Sequence, residues 1–375
     1  MSSHDNVRAR EVDEMARIEL SNIAHTYEPT VENPFYALKK LNMVWEDGGT
    51  YALLGPSGCG KTTMLNIISG LVRPSHGQVL FDDVNFTEYS TPARNIAQVF
   101  QFPVIYTLMT VEENLDFPLK CRRVPEKERQ KRVREIAELL NLSDKLKRPA
   151  RKLAADEKQL ISLGRGLVRS DVSALLLDEP LTVIDPQLKF DIRKKLKTIN
   201  ERYGLTMVYV THDQNEAMSF ADTIVVMNNG EVVQAGTPQE LYEKPETTYV
   251  GYFIGSPSMN FIKCDFDGGR LHTAGGSIPL PSSVSLPEDR KNLKLGIRPR
   301  FVSFAAPGAD SALKGKTEMV QEFGNYRIAT VKIEEDIIRL KLPPGAEVPA
   351  DDAWISFPED KICLYANDVL INGSL

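Results

Sequence analysis

Four short apolar runs punctuate the first 240 residues: YALLG (51–55), ALLLD (174–178), MVYVT (207–211) and TIVVM (223–227). Each is too short for a buried helix, so each reads as a candidate strand buried on both faces. Ahead of them, MARIELSNIAHTY begins an apolar–polar alternation at Met15, where the folded unit is expected to start. Residues 1–14 are polar and patternless, and read as a tail or an upstream start. Helical patterns separate the runs, notably over 126–142, where Val133, Ile136, Ala137, Leu139 and Leu140 mark one face. The Lys and Arg residues of that segment form a basic face whose ordinary role is solvation. Strands alternating with helices predict an α/β unit, a parallel sheet wrapped by helices.

Past about residue 240 the texture changes. KLGIRPRFVSF, RIATVKIEEDIIRLKL and AWISFPEDKICLYANDVLI are β-rich and separated by Gly- and Pro-bearing turns such as LPPGAEVP. This predicts a small, mostly antiparallel β domain, a barrel, over 241–375. The length of 375 residues also favours two domains. A hydrophobic fraction of 42% with 26% charged residues is ordinary for a globular chain and argues against wholesale disorder. The net charge of −6 offers no basic surface for nucleic acid and no electrostatic anchor to an anionic membrane. Cys59, Cys121, Cys264 and Cys363 lack metal-ligand spacing, which fits a reduced, cytosolic chain. No apolar run approaches the roughly 20 residues that span a bilayer, and the N-terminus lacks a signal-peptide core. Work at a membrane would therefore require holding onto another protein.

The chemistry concentrates in two strings. GPSGCGKTT (Gly55, Pro56, Ser57, Gly58, Cys59, Gly60, Lys61, Thr62, Thr63) follows a strand and precedes the helix-like MLNIISGL. This fits the phosphate-loop pattern G-x-x-x-x-G-K-[ST]. Its glycines let successive backbone N–H groups turn toward phosphate oxygens, and the helix N-terminus adds partial positive charge. Lys61 is expected to reach the β- and γ-phosphates, and the Thr62 hydroxyl to help hold Mg²⁺. Such a string arises by chance in roughly one chain of this length in a hundred, so the reading of an ordinary Gly-rich turn is remote. LLLDEP supplies the second half. Asp178 ends a buried strand, suited to a Mg²⁺ contact, and Glu179 can polarise an attacking water as general base. Alone, such a string could be a strand entering a turn; beside the phosphate loop it is specific. His212, in YVTHDQ, follows another buried strand. A lone histidine is as readily structural, but open α/β sheets bind ligands at the strand ends, which favours contact with the γ-phosphate or the water.

The order GPSGCGKTT, VFQ (99–101), LLLDEP, ID (184–185) and THDQNEA (211–217) resembles the ATP-binding-cassette (ABC) ATPases. Within them it is similar to the ATP-binding subunits of carbohydrate and polyol importers, over about residues 15–375. The resemblance implies a P-loop NTPase domain over 15–240 with a helical subdomain at about 102–165. A hinge and an OB-like (TOBE-type) β domain follow over 241–375. It also implies that Tyr27 stacks on adenine, that Gln101 touches Mg²⁺ and couples to a membrane partner, and that Asp185 spans a dimer interface. The apolar stretch after Gln101, FPVIYTLMTVEENL, falls where relatives receive a membrane subunit's coupling helix; the alternative is helical-subdomain core. Arg300 replaces the acidic residue usual after IRP.

The largest departure is RKLAADEKQL (151–160), where the family carries L-S-G-G-Q at the start of a helix that grips the γ-phosphate on the opposite subunit. Aligned from Leu153, the serine becomes Ala154, the glycines Ala155 and Asp156, and the glutamine Glu157. The hydroxyl donor is gone and two carboxylates oppose a polyanion. At ~5 Å and an effective dielectric of 20, each unit-charge pair costs ~3 kcal/mol. The plainer alternative is that acidic residues in a first helical turn stabilise the helix by roughly 0.3–1 kcal/mol and point at water.

A head-to-tail homodimer would pair both phosphate loops with LAADE, whereas a second ATPase with an intact signature would leave one working and one degenerate site. The A-A-D-E-K-Q string and RNIAQVFQFPVIY resemble glycerol-importer subunits, which are encoded as two different ATPases per transporter. The expectation is therefore an ATP- and Mg²⁺-dependent importer motor on the cytoplasmic face of the inner (plasma) membrane, held by two permease subunits and served indirectly by a solute-binding protein. Its leading cargo is glycerol or a related polyol, and no nucleic acid is involved. The alternative is an ATP-binding regulatory or structural subunit with little turnover. A soluble cassette ATPase of translation or DNA repair fits poorly, since those relatives usually carry tandem cassettes or long coiled-coil inserts.

Overall fold

The computed structural model describes residues 16–371 except positions 170, 281–283, 285, 287–290 and 310–311. The sequence tail at 1–14 lies outside the described residues. The chain divides into two compact units between Thr237 and Pro238, three residues before the composition change that marks the boundary in the sequence.

In the first unit, β1 (Ile18–Thr26), β2 (Tyr36–Trp45) and β3 (Thr50–Leu54) lead into α1 (Lys61–Ser69), followed by β4 (His76–Phe81), β5 (Val84–Asn85) and β6 (Ile96–Val99). Helices α2 (Val111–Cys121), α3 (Glu126–Leu139) and α4 (Ala155–Leu167) come next. The unit finishes as β7 (Ala174–Asp178), α5 (Pro186–Tyr203), β8 (Met207–Thr211), α6 (Gln214–Phe220), β9 (Thr223–Asn228) and β10 (Glu231–Gly236). All four apolar runs become strands of one sheet ordered β10-β9-β3-β8-β7-β6. Its pairs from β9 to β6 are parallel, and β10 is an antiparallel edge. A second sheet, β2-β1-β4-β5, is antiparallel throughout. Only its first strand is visible in the sequence, because β2 and β4 carry consecutive exposed residues that break the alternation (Lys39 and Lys40, His76 to Gln78) and bulges interrupt the β1–β2 register.

One apolar core joins both sheets through α1: Ile18, Trp45 and Phe81 share it with Leu53, Val208, Val225 and with Met64, Leu65 and Ile68 of the helix. α1 is buried on nearly every side, so its composition lacks a polar stripe. Its C-terminal carbonyls are met by the buried guanidinium of Arg94, which donates to Ile67 at 2.7 Å and Ile68 at 2.9 Å. A cation at this end favours the helix dipole and satisfies acceptors that have no partner within the helix.

α2, α3 and α4 pack together as the helical subdomain; a Cβ on Gly164 would lie 2.6 Å from Leu115 of α2 and 3.0 Å from Leu140 at the end of α3. Val133, Ile136, Ala137 and Leu140 are buried as the periodicity requires.

In the second unit, α7 (Pro238–Glu243) and α8 (Thr248–Phe253) precede β11 (Asn260–Lys263), β12 (Asp265–Asp267), β13 (Arg270–Thr273), β14 (Gly276–Pro279) and β15 (Leu293–Ile297). There follow β16 (Ser303–Phe304), β17 (Ala312–Glu322), β18 (Arg327–Ile333), β19 (Asp336–Leu342), β20 (Asp352–Ser356), β21 (Cys363–Ala366) and β22 (Val369–Leu370). These form three antiparallel sheets, β11-β15-β21-β22, β12-β13-β14 and β16-β20-β17-β18-β19. Their inward side chains, among them Leu271, Leu295, Val331 and Ile355, share one core.

The buried Arg298 ties α7 and α8 to the end of β15, donating to the carbonyls of Tyr242 (2.7 Å), Gly251 (2.9 Å), Leu241 (3.3 Å) and Ile254. Arg300 lies with its guanidinium 5.1 Å from the Tyr242 ring centre and 4.5 Å from that of Phe301. An acidic residue would forgo those cation–π contacts.

Replacing Arg298 by Met keeps the bulk but orphans several buried carbonyls at about 1–3 kcal/mol each. The Arg298→Met chain should lose at least about 2 kcal/mol in urea unfolding followed by intrinsic fluorescence; a loss below about 0.5 kcal/mol would show that water reaches those carbonyls.

Candidate active site

Four neighbouring parallel strands end on the same edge of the central sheet. Register pairs Leu54 with Thr211, Val210 with Asp178, and Leu177 with Val99. The residues that follow these ends are the phosphate loop after β3, His212 after β8, Asp178 and Glu179 at β7, and Gln101 two residues beyond β6. The sheet thus brings these groups to one edge, where most of the loop, Gln101, Glu179 and His212 line a cavity of about 690 Å³ and Asp178 lies buried behind Thr62.

The loop has the backbone its glycines allow. Gly58 and Gly60 adopt φ +79° and +103°, and a Cβ at Gly60 would meet the Ala37 carbonyl at 2.5 Å. Around Gly58 there is open space, so its requirement is the left-handed backbone. Lys61 is buried and folds back over the loop, donating to the carbonyls of Gly55 and Pro56, both at 2.8 Å. Ser57, Gly58, Gly60, Lys61, Thr62 and Thr63 face the cavity, whereas Gly55 and Cys59 are buried beneath the loop.

Thr62 donates its hydroxyl to Asp178 Oδ1 at 3.2 Å. Burial raises the Asp178 carboxyl above the usual carboxylate range, partly offset by that hydrogen bond. Glu179 stands in a left-handed backbone conformation, φ +44°, uncommon for a non-glycine residue and worth a functional reason. Its side chain takes partners different from those of Asp178. Oε2 accepts from Gln101 Nε2 at 3.2 Å, and Oε1 lies 3.2 Å from His212 Nδ1. The loop carrying His212 is anchored by the buried Glu216, which accepts from Thr211 at 2.9 Å and Tyr209 at 3.0 Å and pairs with Lys189 and Arg193.

Tyr27 is 60% exposed at the rim, its hydroxyl 3.2 Å from Thr63 Oγ1 and its ring edge-on to His25. Asp185 does not line the cavity; exposed, it N-caps α5, accepting from the backbone of Gln187 (2.9 Å) and Leu188 (3.3 Å). Four lining residues are absent from the sequence motifs: Glu28, Phe35, Ala37 and Thr182. Thr182 sits three residues after Glu179 and donates to its carbonyl at 3.0 Å, a spacing readable in sequence. Phe35, an aromatic in a polar loop and largely exposed, comes to the rim only through the β1–β2 pairing.

At the start of α4 the predicted carboxylates part company. Glu157 turns back: it accepts from the Ala154 N–H at 2.9 Å and forms an ion pair with Lys145 at 2.8 Å. Those two partners hold its carboxyl below the ordinary range. Asp156 stays partly exposed. Of the two charges expected to oppose a ligand, Glu157 is therefore neutralised within its own chain, and it occupies a backbone donor at the helix N-terminus while doing so.

The apolar stretch after Gln101 divides: Phe102 (75%) and Leu108 (82%) are exposed, as are Val104 and Tyr106, whereas Val111 and Leu115 are buried in the helical subdomain. The exposed part is nonetheless pinned to α4: Gln159 donates to the Phe100 carbonyl (3.1 Å), Ser162 accepts from Val104 N–H (3.3 Å), and Arg165 stacks over Tyr106 (4.7 Å) while donating to Val104. Buried Asn114 of α2 fastens the same loop through the Tyr106 N–H and carbonyl, at 2.8 and 2.9 Å. Among the described residues, no helix is long and apolar enough to cross a membrane.

Residues 38–182 match the family model for ABC transporters, and residues 255–299 that for the MalK OB-fold domain. The trehalose/maltose import ATP-binding protein MalK of Thermococcus litoralis is 38% identical over 317 residues, covering 79% of this chain and 84% of the relative. The sn-glycerol-3-phosphate import ATP-binding protein UgpC 3 of Agrobacterium fabrum is 40% identical (81% and 84% covered), and UgpC of Escherichia coli O157:H7 33% identical (94% and 98%). Among solved structures, the dimeric cassette MJ0796 in a post-hydrolysis state bound to ADP and Pi is 31% identical, with a TM-score of 0.54 over 59% of this chain and 98% of that one. The chain belongs to the ABC transporter family, as an importer-type, transport-coupled ATPase that binds ATP and carries a MalK-like OB domain.

Proposed function

We propose that this chain is one half of an asymmetric ATPase pair that drives import of a polyol, glycerol first. The observation that carries the asymmetry is the start of α4. Ala154 supplies no hydroxyl, its N–H is taken by Glu157, and Ala155 and Asp156 stand where bare glycine backbone would approach a ligand. A helix N-terminus grips an anion through free N–H groups and its dipole; here one donor is committed internally and an adjacent carboxylate opposes the charge. With a second ATPase whose signature is intact, this chain's phosphate loop would face a full grip, and the partner's loop would face LAADE. Polyol cargo rests on the likeness of the signature region to glycerol-importer subunits; the named relatives import trehalose/maltose or sn-glycerol-3-phosphate.

In the working site, Lys61 would exchange its loop carbonyls for the β- and γ-phosphate oxygens, with the backbone of residues 55–63 around them and Tyr27 against the adenine. The fit for Mg²⁺ is good: a buried carboxylate whose ionised form burial disfavours, Asp178, lies beside the Thr62 hydroxyl, with Gln101 on the same cavity wall. These three would hold the ion, which supplies charge neutralisation at the phosphates. Glu179 would take a proton from the attacking water, His212 would orient Glu179 or contact the γ-phosphate, and Asp185 would meet the opposite subunit across the dimer. The exposed wall from Phe102 to Leu108 is suited to a permease helix. Two permease subunits would hold the pair on the cytoplasmic face of the membrane, and a solute-binding protein would deliver cargo to them.

Two experiments test this. Mixed with its partner ATPase, the wild-type chain should turn over ATP at least about 10²-fold faster than Glu179→Gln; equal rates would leave only a regulatory, ATP-binding role. Restoring the signature by Ala154→Ser, Ala155→Gly, Asp156→Gly and Glu157→Gln should raise ATPase of the chain alone at least tenfold, about 1.4 kcal/mol of recovered transition-state binding. No gain in a variant that still dimerises would reduce the acidic start to a helix cap and remove the case for asymmetry.

A further inference from the structure

The second unit contains a cavity that the ATPase chemistry does not use. It measures about 370 Å³, at the small end of the roughly 300–1,000 Å³ typical of ligand pockets. Helix α8 contributes Tyr249 and Tyr252, β11 contributes Phe261 and Lys263, and β15 and β19 contribute Lys294 and Asp336. The pattern follows from periodicity: Tyr249 and Tyr252 are three apart on one helix face, while Phe261 and Lys263 flank the inward Ile262 on a strand.

Two of the rings are braced from behind. Tyr249 lies parallel to Phe253, 5.7 Å between centres and 9° between planes. Phe261 packs edge-on against the buried Tyr365, at 5.5 Å and 75°. Tyr252 is 65% exposed at the rim, an aromatic surface left in water beside two fixed ones.

The lining charges are each close to an opposite one. Lys294 donates to Asp368 at 2.6 Å, and Thr248 donates to the same oxygen at 2.7 Å. Asp336 accepts from the Lys263 backbone N–H and feels that residue's side-chain charge. The lining lysines are offset by the lining Asp336 and by Asp368, which holds Lys294 from outside the cavity, so a phosphate or carboxylate ligand gains little general attraction. What remains is a set of charge-assisted donors and acceptors at the edge of aromatic faces. That combination suits a neutral polyhydroxylated ring, whose C–H face packs on an aromatic ring while its hydroxyls bond to ammonium and carboxylate groups in the plane.

We infer that the cavity bounded by α8, β11, β15 and β19 is a binding site for a neutral mono- or disaccharide, separate from the nucleotide site. It is built entirely from residues of the second unit.

The full chain, without nucleotide, should be titrated with glucose, maltose and glucose 6-phosphate by calorimetry and saturation-transfer NMR. At least one neutral sugar should bind with a Kd on the order of 1 mM, with transfer to its ring C–H protons. Tyr252→Ala and Lys263→Ala should each weaken it at least about fivefold, and glucose 6-phosphate should bind no tighter than glucose. Both positions are exposed, so the variants should keep the wild-type thermal transition; if Tyr252→Ala does not, Lys263→Ala decides. The inference is overturned if neither neutral sugar binds, if binding survives both substitutions, or if glucose 6-phosphate binds at least tenfold tighter in a Lys263-dependent way.

Discussion

The parallel pairing of β3, β8, β7 and β6 is the constraint on which the active site depends. In a parallel ladder the strands end together, so four sequence-distant turns are presented side by side at the C-terminal edge of one sheet. Through that pairing Lys61, Gln101, Glu179 and His212 come to line one cavity. The buried rows of Ala, Leu and Val that make these strands are therefore as necessary to the chemistry as the polar residues at their ends. Slipping one strand by a residue would invert its side-chain alternation and misplace the group it carries. α1 extends the constraint, since its N-terminus is the phosphate loop and its C-terminus is clamped by Arg94.

Much of this arrangement is legible in the sequence because it is local. A strand, a glycine-rich turn and a helix start are contiguous at 51–64, and Asp178 with Glu179 closes an apolar run. The antiparallel β2-β1-β4-β5 sheet is less legible, because consecutive exposed residues and bulges interrupt its alternation, and pairing is a long-range property. Phe35 and Ala37 are hidden for the same reason. The acidic signature is a sharper case. Its charges can be counted from sequence, but the direction of Glu157 depends on Lys145, twelve residues upstream, in a turn that the sequence pattern does not place. Helix-capping logic anticipates half of that outcome, since a glutamate at the third position of a helix readily reaches back to the N-cap N–H.

Glu157 also illustrates how one side chain can serve stability and alter recognition together. Its bonds to Ala154 and Lys145 compensate the helix start locally, so the helix does not need an external anion to complete it. In a chain with serine and glycines at those positions, the orphan donors would remain available to a ligand. The same backbone geometry can thus be either a finished cap or an open socket, and the choice lies in four side chains.

The seam between α4 and the loop after Gln101 has a mechanical meaning. Gln159, Ser162 and Arg165 lie three and then three residues apart, one stripe of the helix, and each grips a different point of the loop from Phe100 to Tyr106. Fastened at several points along its length, the loop cannot pivot on its own. A force applied to its exposed apolar side chains is carried along the axis of α4 with little slack, as by a stiff lever rather than a string. Stiffness of this kind works in both directions, so displacement at the start of α4 would reach the outer surface with similar fidelity.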